Sequence, residues 1–184
     1  MLSLLRRRLR RAAGLLSPRL WGRNLMTWLA AIAVALVALG FARAADAAQG
    51  LFKHLLDGQP YRILVLAPAG LALSAWLTRR VFPGAQGSGI PQTIAALKLD
   101  NPRAVDAVLS PRIAVGKILL TLLGLACGAS IGREGPTVQV GASLMHAVGR
   151  RMVPDRLDLQ RGMVLAGGAA GVAAAFNTPI AGVV

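Results

Sequence analysis

The sequence predicts an all-α integral membrane protein of broken and re-entrant helices, and three observations predict it. Of the 184 residues 55% are hydrophobic and only 15% charged. Their mean hydropathy is +0.58, too apolar for an ordinary soluble domain. The cations gather between uncharged runs, as loops that fix membrane orientation do. Several runs are short and interrupted by Gly or Pro, the pointer to discontinuous helices whose ends meet within the bilayer.

Lys and Arg number 21 against 7 Asp and Glu, a net charge of +14. That balance is compatible with nucleic-acid binding in principle, but no basic face carries the interleaved aromatics that stack bases, so no nucleic-acid partner is expected. Cys127 is the single cysteine, too few for an intrachain disulfide, and reads as a small apolar thiol packed in a helix. No metal-ligand cluster and no nucleophile with a base partner is evident, and neither glycine-rich turn has the G-x-x-x-x-G-K-[ST] phosphate pattern. The expectation is therefore no enzyme, no metal and no cofactor.

Residues 1–23 carry Arg6, Arg7, Arg8, Arg10, Arg11, Arg19 and Arg23 and read as a basic cytoplasmic segment ahead of the membrane part, 24–184. A basic start, an apolar run and Ala42-Arg43-Ala44 also resemble a secretory signal. The uncharged run from Asn24 to Ala42, 19 residues, is longer than a signal's apolar region and favours a retained first helix. QGLFKHLLDGQPYR then reads as a polar connection, and the uncharged Ile63–Thr78 run as a returning helix that makes a hairpin with the first. Arg79 and Arg80 end that helix on the cytoplasmic side.

Pro83, Gly84, Gly87, Gly89 and Pro91 break regular structure before a short helix over 90–97, too short to span. Lys98, Arg103, Arg112 and Lys117 keep this region at the cytoplasmic surface or dipping in from it; Lys117 and Arg133 can raise the local potential for anions or pair with carboxylates, and Lys117 can equally snorkel. Ile118–Gly132 is a short uncharged run, followed by a short small-residue helix over 135–149. His146 on it reads as a satisfied packing histidine rather than a proton relay. Gly162–Val184 is rich in Gly and Ala, breaks at Asn177, Thr178 and Pro179, and suggests an interior helix.

Two motifs carry chemistry. In GSGIP, Gly87–Pro91, Ser88 suits a cap and Pro91 the first helical turn, where its missing N–H costs nothing. Unpaired N–H groups and the dipole make such a helix start an anion site, to which the Ser88 hydroxyl can donate. GREGP, 132–136, repeats the grammar with Gly135 and Pro136 opening a helix. Glu134 precedes it, so its carboxylate can occupy the place of an external anion and leave when protonated, coupling passage to pH. The same residues also suit plain turn and cap roles.

GSGIP, GREGPTVQVGA (132–142) and AAFNTPIAG (174–182), in this order, resemble the first half of the CLC family of voltage-gated chloride channels and chloride/proton antiporters. The resemblance implies a helical fold of two inverted repeats, of which this chain holds most of the first, and a homodimer with one anion pathway per subunit. It implies chloride transport in the lipid bilayer of a bacterial inner membrane, with the N-terminus cytoplasmic. It makes Ser88, with Gly89 and Ile90, part of the central anion site. It makes Glu134 the gating, proton-accepting glutamate, flanked by Arg133, Gly135 and Pro136, and Lys117 a favourable pathway charge. The family usually has glutamate where this chain has Gln92, a change of local charge. The second repeat, its filter motif and its tyrosine are not among these residues, so the 184 residues read as a fragment that alone conducts no chloride. The alternative is a non-conducting membrane scaffold or regulatory fragment that binds a partner through its Gly/Ala-rich faces.

Overall fold

The computed structural model describes residues 18–178. Most of the arginine-rich start and the break at Pro179 lie outside the described residues.

Helix α1, Pro18–Leu56, has 39 residues, so at 1.5 Å per residue it is about 58 Å long, well beyond the ~30 Å hydrocarbon core. Its inward stripe is Ala30, Val34, Ala38, Phe41 and Ala45, the three-and-four spacing of one helix face. Leu25, Trp28, Ile32, Leu36 and Leu39 are exposed, the arrangement a lipid-facing surface requires. The expected polar connection from Gln49 is still helical to Leu56. The apolar residues Leu51, Phe52 and Leu55 continue the pattern, and Phe52 lies against Gly128.

A 3-10 turn, Pro60–Arg62, leads into α2, Ile63–Arg80, which tolerates Pro68 inside it. The expected hairpin is corrected here. α2 packs against α5, Pro111–Ala126, and α5 also packs against α1, so the two sequential helices are not a mutually packed pair. Gly70 permits the α2 contact: a Cβ there would collide with Cys127. Cys127 is buried, at the C-cap of α5 rather than within a helix.

α3, Ile90–Lys98, is the short helix the glycine-rich break predicts, and α4, Pro102–Asp106, is a five-residue turn capped by the Asn101 side chain. α5 begins earlier than the uncharged run, because the Ser110 hydroxyl accepts from the Ile113 N–H at 3.4 Å and caps it. It stops at Ala126, where Gly128 turns the chain with φ 86°. Lys117 is consequently in mid-helix.

α6, Glu134–Met152, is the central element, packed on α1, α3, α5 and α7, Leu157–Phe176. Thr137, Gln139, Ser143 and His146 are all buried on it, so its polarity is shielded from lipid by protein. Small residues allow the α6–α7 crossing: Cβ atoms on Gly141 or Gly167 would each meet the other's carbonyl, and one on Gly171 would lie 2.7 Å from the Thr137 carbonyl oxygen. Only one face of α7 is buried, while Leu165 and Phe176 are exposed. The interior helix is thus α6, with α7 packed on its side. Asn177, at φ 52°, ends α7 in the left-handed conformation.

Among the described residues four stretches, Leu25–Leu56, Pro60–Arg80, Pro102–Ala126 and Leu157–Phe176, are long and apolar enough to cross a membrane.

Candidate functional site

The two motifs, 45 positions apart in the chain, meet in space. A Cβ built on Gly89 would lie 2.5 Å from the Gly135 carbonyl oxygen, and one on Gly135 would lie 2.6 Å from the Ser88 carbonyl oxygen. The start of α3 therefore abuts the start of α6, backbone against backbone. Gly89 is the N-cap of α3 with φ 110°, a conformation that L side chains avoid. Both its torsion and its neighbour require glycine.

The expectation that Ser88 caps α3 is corrected: the cap is Gly89. Ser88 is exposed beside this junction, and its hydroxyl is not committed to capping. The Gly89 N–H, expected to face an anion, instead donates to Gln92 Oε1 at 2.9 Å. That leaves Ile90 and Gln92 as the amides of the first turn without an intrahelical acceptor, since Pro91 has no N–H. On α6 the corresponding amides are those of Arg133, Glu134 and Gly135, ahead of Pro136. Two positive helix ends thus converge.

A shared local device aligns them. Thr93 Oγ1 donates to the Gly89 carbonyl at 2.9 Å and Thr137 Oγ1 to the Arg133 carbonyl at 2.7 Å. In each case a threonine four residues on holds the cap carbonyl inside its helix. The loop before α3 is handled the same way: Gln139 Nε2 donates to the Gly84 carbonyl at 3.2 Å, and Gln92 Nε2 to the Gln86 carbonyl at 2.8 Å. Lys117 Nζ donates to the carbonyls of Ala85 at 2.6 Å and Gly87 at 2.8 Å, with Gln86 at 3.4 Å.

Every carbonyl from 84 to 87 is therefore drawn toward the protein. Carbonyl oxygens are the negative ends of the peptide dipoles, so these bonds keep that negative charge turned toward the protein. Lys117 is 2% exposed, which corrects the snorkelling expectation. A buried ammonium needs polar partners, and here the loop supplies three. Lys117 also borders a groove of about 660 Å³ between α2, α5 and this loop, lined among others by Ser74, Thr78, Arg79 and Thr121. Gln92 is more than a change of charge: one end accepts and the other donates, which an ionised glutamate cannot do.

Glu134 is half-buried at the first position of α6, with Oε2 folded against Gly132. Arg133 does not point at the junction. Its Nη1 donates to Asp46 Oδ1 at 2.8 Å and to the Ala42 carbonyl at 3.2 Å, both on α1. His146 lies apart from the site, with Nε2 2.8 Å from Asp106 Oδ1, and Asp106 also pairs with Arg150. Its Nδ1 is buried with no protein partner, so the packing expectation holds for one ring nitrogen only.

Asp46, Gln92 and Gln139 were not singled out as site residues by sequence reasoning. Only the matched threonines, each four residues beyond its cap, could have been read from the motifs as a repeated device.

Broken and full-length helices, four of them membrane-capable among the described residues, define a multi-pass integral membrane protein. A family model described as voltage gated chloride channel matches residues 70–184. The chain is also 35% identical over 135 residues to the chloride channel protein CLC-c of Arabidopsis thaliana, a match covering 65% of this chain and 16% of that protein. The chain belongs to the voltage-gated chloride channel family, CLC.

Proposed function

We propose that this chain contributes an anion pathway for chloride, in a channel or a chloride/proton antiporter, with Glu134 as its gate. The observation that carries the reading is the abutment of the Gly89 and Gly135 helix starts, which supports a single site served by two positive ends. Ser88 supplies a hydroxyl donor at its edge, and the amides of Ile90, Glu134 and Gly135 supply the rest. Lys117 acts by drawing loop carbonyls away from the anion.

An ionised Glu134 occupies the positive end of α6 and excludes chloride; protonated, it no longer competes. Occupancy by chloride therefore rises as pH falls. The N-terminus is cytoplasmic in this reading, the membrane a bacterial inner membrane and the assembly a homodimer. The small-residue faces of α6 and α7 are occupied by each other, so they do not favour a scaffold that recruits partners through them.

The test is chloride titration of the purified chain in detergent across pH, by calorimetry. Wild-type affinity is expected to increase toward low pH, whereas Glu134→Gln binds with an affinity that hardly varies. The same pH dependence in both proteins would refute the gating role, and binding by neither would refute the anion site.

A further inference from the structure

We propose that Asp46 on α1 is a positioning residue for this site: it holds the Arg133 guanidinium away from the anion and thereby weakens anion binding. The inference rests on the proposed anion site, but its observation is separate. Arg133 is the N-cap of α6, where a cation free to turn would lie near any anion drawn to the helix start. Instead its Nη1 is held by Asp46 at 2.8 Å and by the Ala42 carbonyl at 3.2 Å, partners 87 and 91 positions away.

The same stretch of α1 covers the turn before α6, because Phe52 packs on Gly128. Among the described residues Asp46 forms an ion pair with no other cation, and Arg133 with no other carboxylate. α1 thus straps the segment that presents Glu134, and the strap ends in one ion pair.

The pair is 37% exposed on the arginine and 67% on the aspartate. At such exposure it contributes little to folding, so its consequence is where the charge of Arg133 sits. Glu134 adjoins Arg133, which puts Asp46 on the order of 10 Å from the anion. A unit charge at that distance in a partly wet mouth changes anion affinity about threefold, and at about 5 Å roughly tenfold. Asp46→Ala removes a negative charge and releases a positive one to approach.

Chloride affinity of the full chain in detergent is therefore expected to rise about tenfold in Asp46→Ala, but only about threefold when Asp46→Ala is made in an Arg133→Gln background. An equal change in both backgrounds would reduce Asp46 to an ordinary surface charge, and weaker binding in Asp46→Ala would reverse the inference; either overturns it. Hydrogen exchange over 127–134 supplies a readout independent of chloride. Asp46→Ala and Arg133→Gln should each raise exchange there, and the double variant no further, whereas unchanged exchange in both singles contradicts the strap. If wild type binds no chloride, the proposed function fails, and the exchange result still decides whether the strap exists.

Discussion

Replacing Gly89 by alanine tests the junction between the motifs. The new Cβ would lie 2.5 Å from the Gly135 carbonyl oxygen, 2.9 Å from Gln139 Cβ and 3.1 Å from the Gly135 carbonyl carbon. Two of these are backbone atoms of a buried helix start and cannot swing aside as a side-chain tip can. Overpacking of this kind costs about 1–3 kcal/mol, and alanine at φ 110° adds roughly 1–3 kcal/mol of backbone strain. The expected loss is about 2–6 kcal/mol.

Gly162→Ala is the matched control. It lies inside α7 with nothing within 4 Å of a built Cβ, so alanine there should be neutral or stabilise by up to about 1 kcal/mol. Thermal unfolding of both variants in one detergent, followed by circular dichroism, makes the comparison. A large drop for Gly89→Ala beside an unchanged or raised midpoint for Gly162→Ala is expected. Equal midpoints would mean that the two helix starts do not abut, and the argument for a shared site would fail with them.

Three further outcomes follow from the same geometry. Lys117→Met leaves the Ala85 and Gly87 carbonyls without their donor, at about 1–3 kcal/mol each. Its melting midpoint should fall while Lys98→Met, at an exposed position, changes little. Gly171→Ala sets a Cβ 2.7 Å from the Thr137 carbonyl oxygen and 2.9 Å from Val138 Cα, which should cost about 1–3 kcal/mol in the same assay. Gln92→Glu loses the donor to the Gln86 carbonyl and adds a carboxylate near the site. Chloride affinity should drop several-fold at neutral pH and recover as pH falls and the new carboxylate is protonated.

The membrane class was legible in composition, and the helix starts at Ile90 and Glu134 in the Gly-Pro punctuation around them. Gly and Pro act through local torsions and missing donors, so their message survives without tertiary context. The limits of α1 and α5 were not legible from charge-free runs. Arg43 and Lys117 bound such runs without ending a helix, Arg43 because it is exposed on α1 and Lys117 because its ammonium donates to loop carbonyls.

Pairing across the chain was the least legible part. Nothing local tells that α5 packs on both α1 and α2, or that Arg133 faces Asp46 rather than the anion. Those contacts join residues tens of positions apart and depend on how helices stack. That broken helices meet was legible in the Gly and Pro interruptions, whereas the abutment of GSGIP with GREGP at Gly89 and Gly135 was not.

Calorimetry on the purified chain at neutral pH, comparing the chloride affinity of Glu134→Gln with that of wild type, decides whether Glu134 is the gate. If Glu134 is the anion that fills the joined helix ends, the neutral isostere vacates them and chloride binds at least several-fold more tightly. Affinity equal to or below that of wild type would contradict the account.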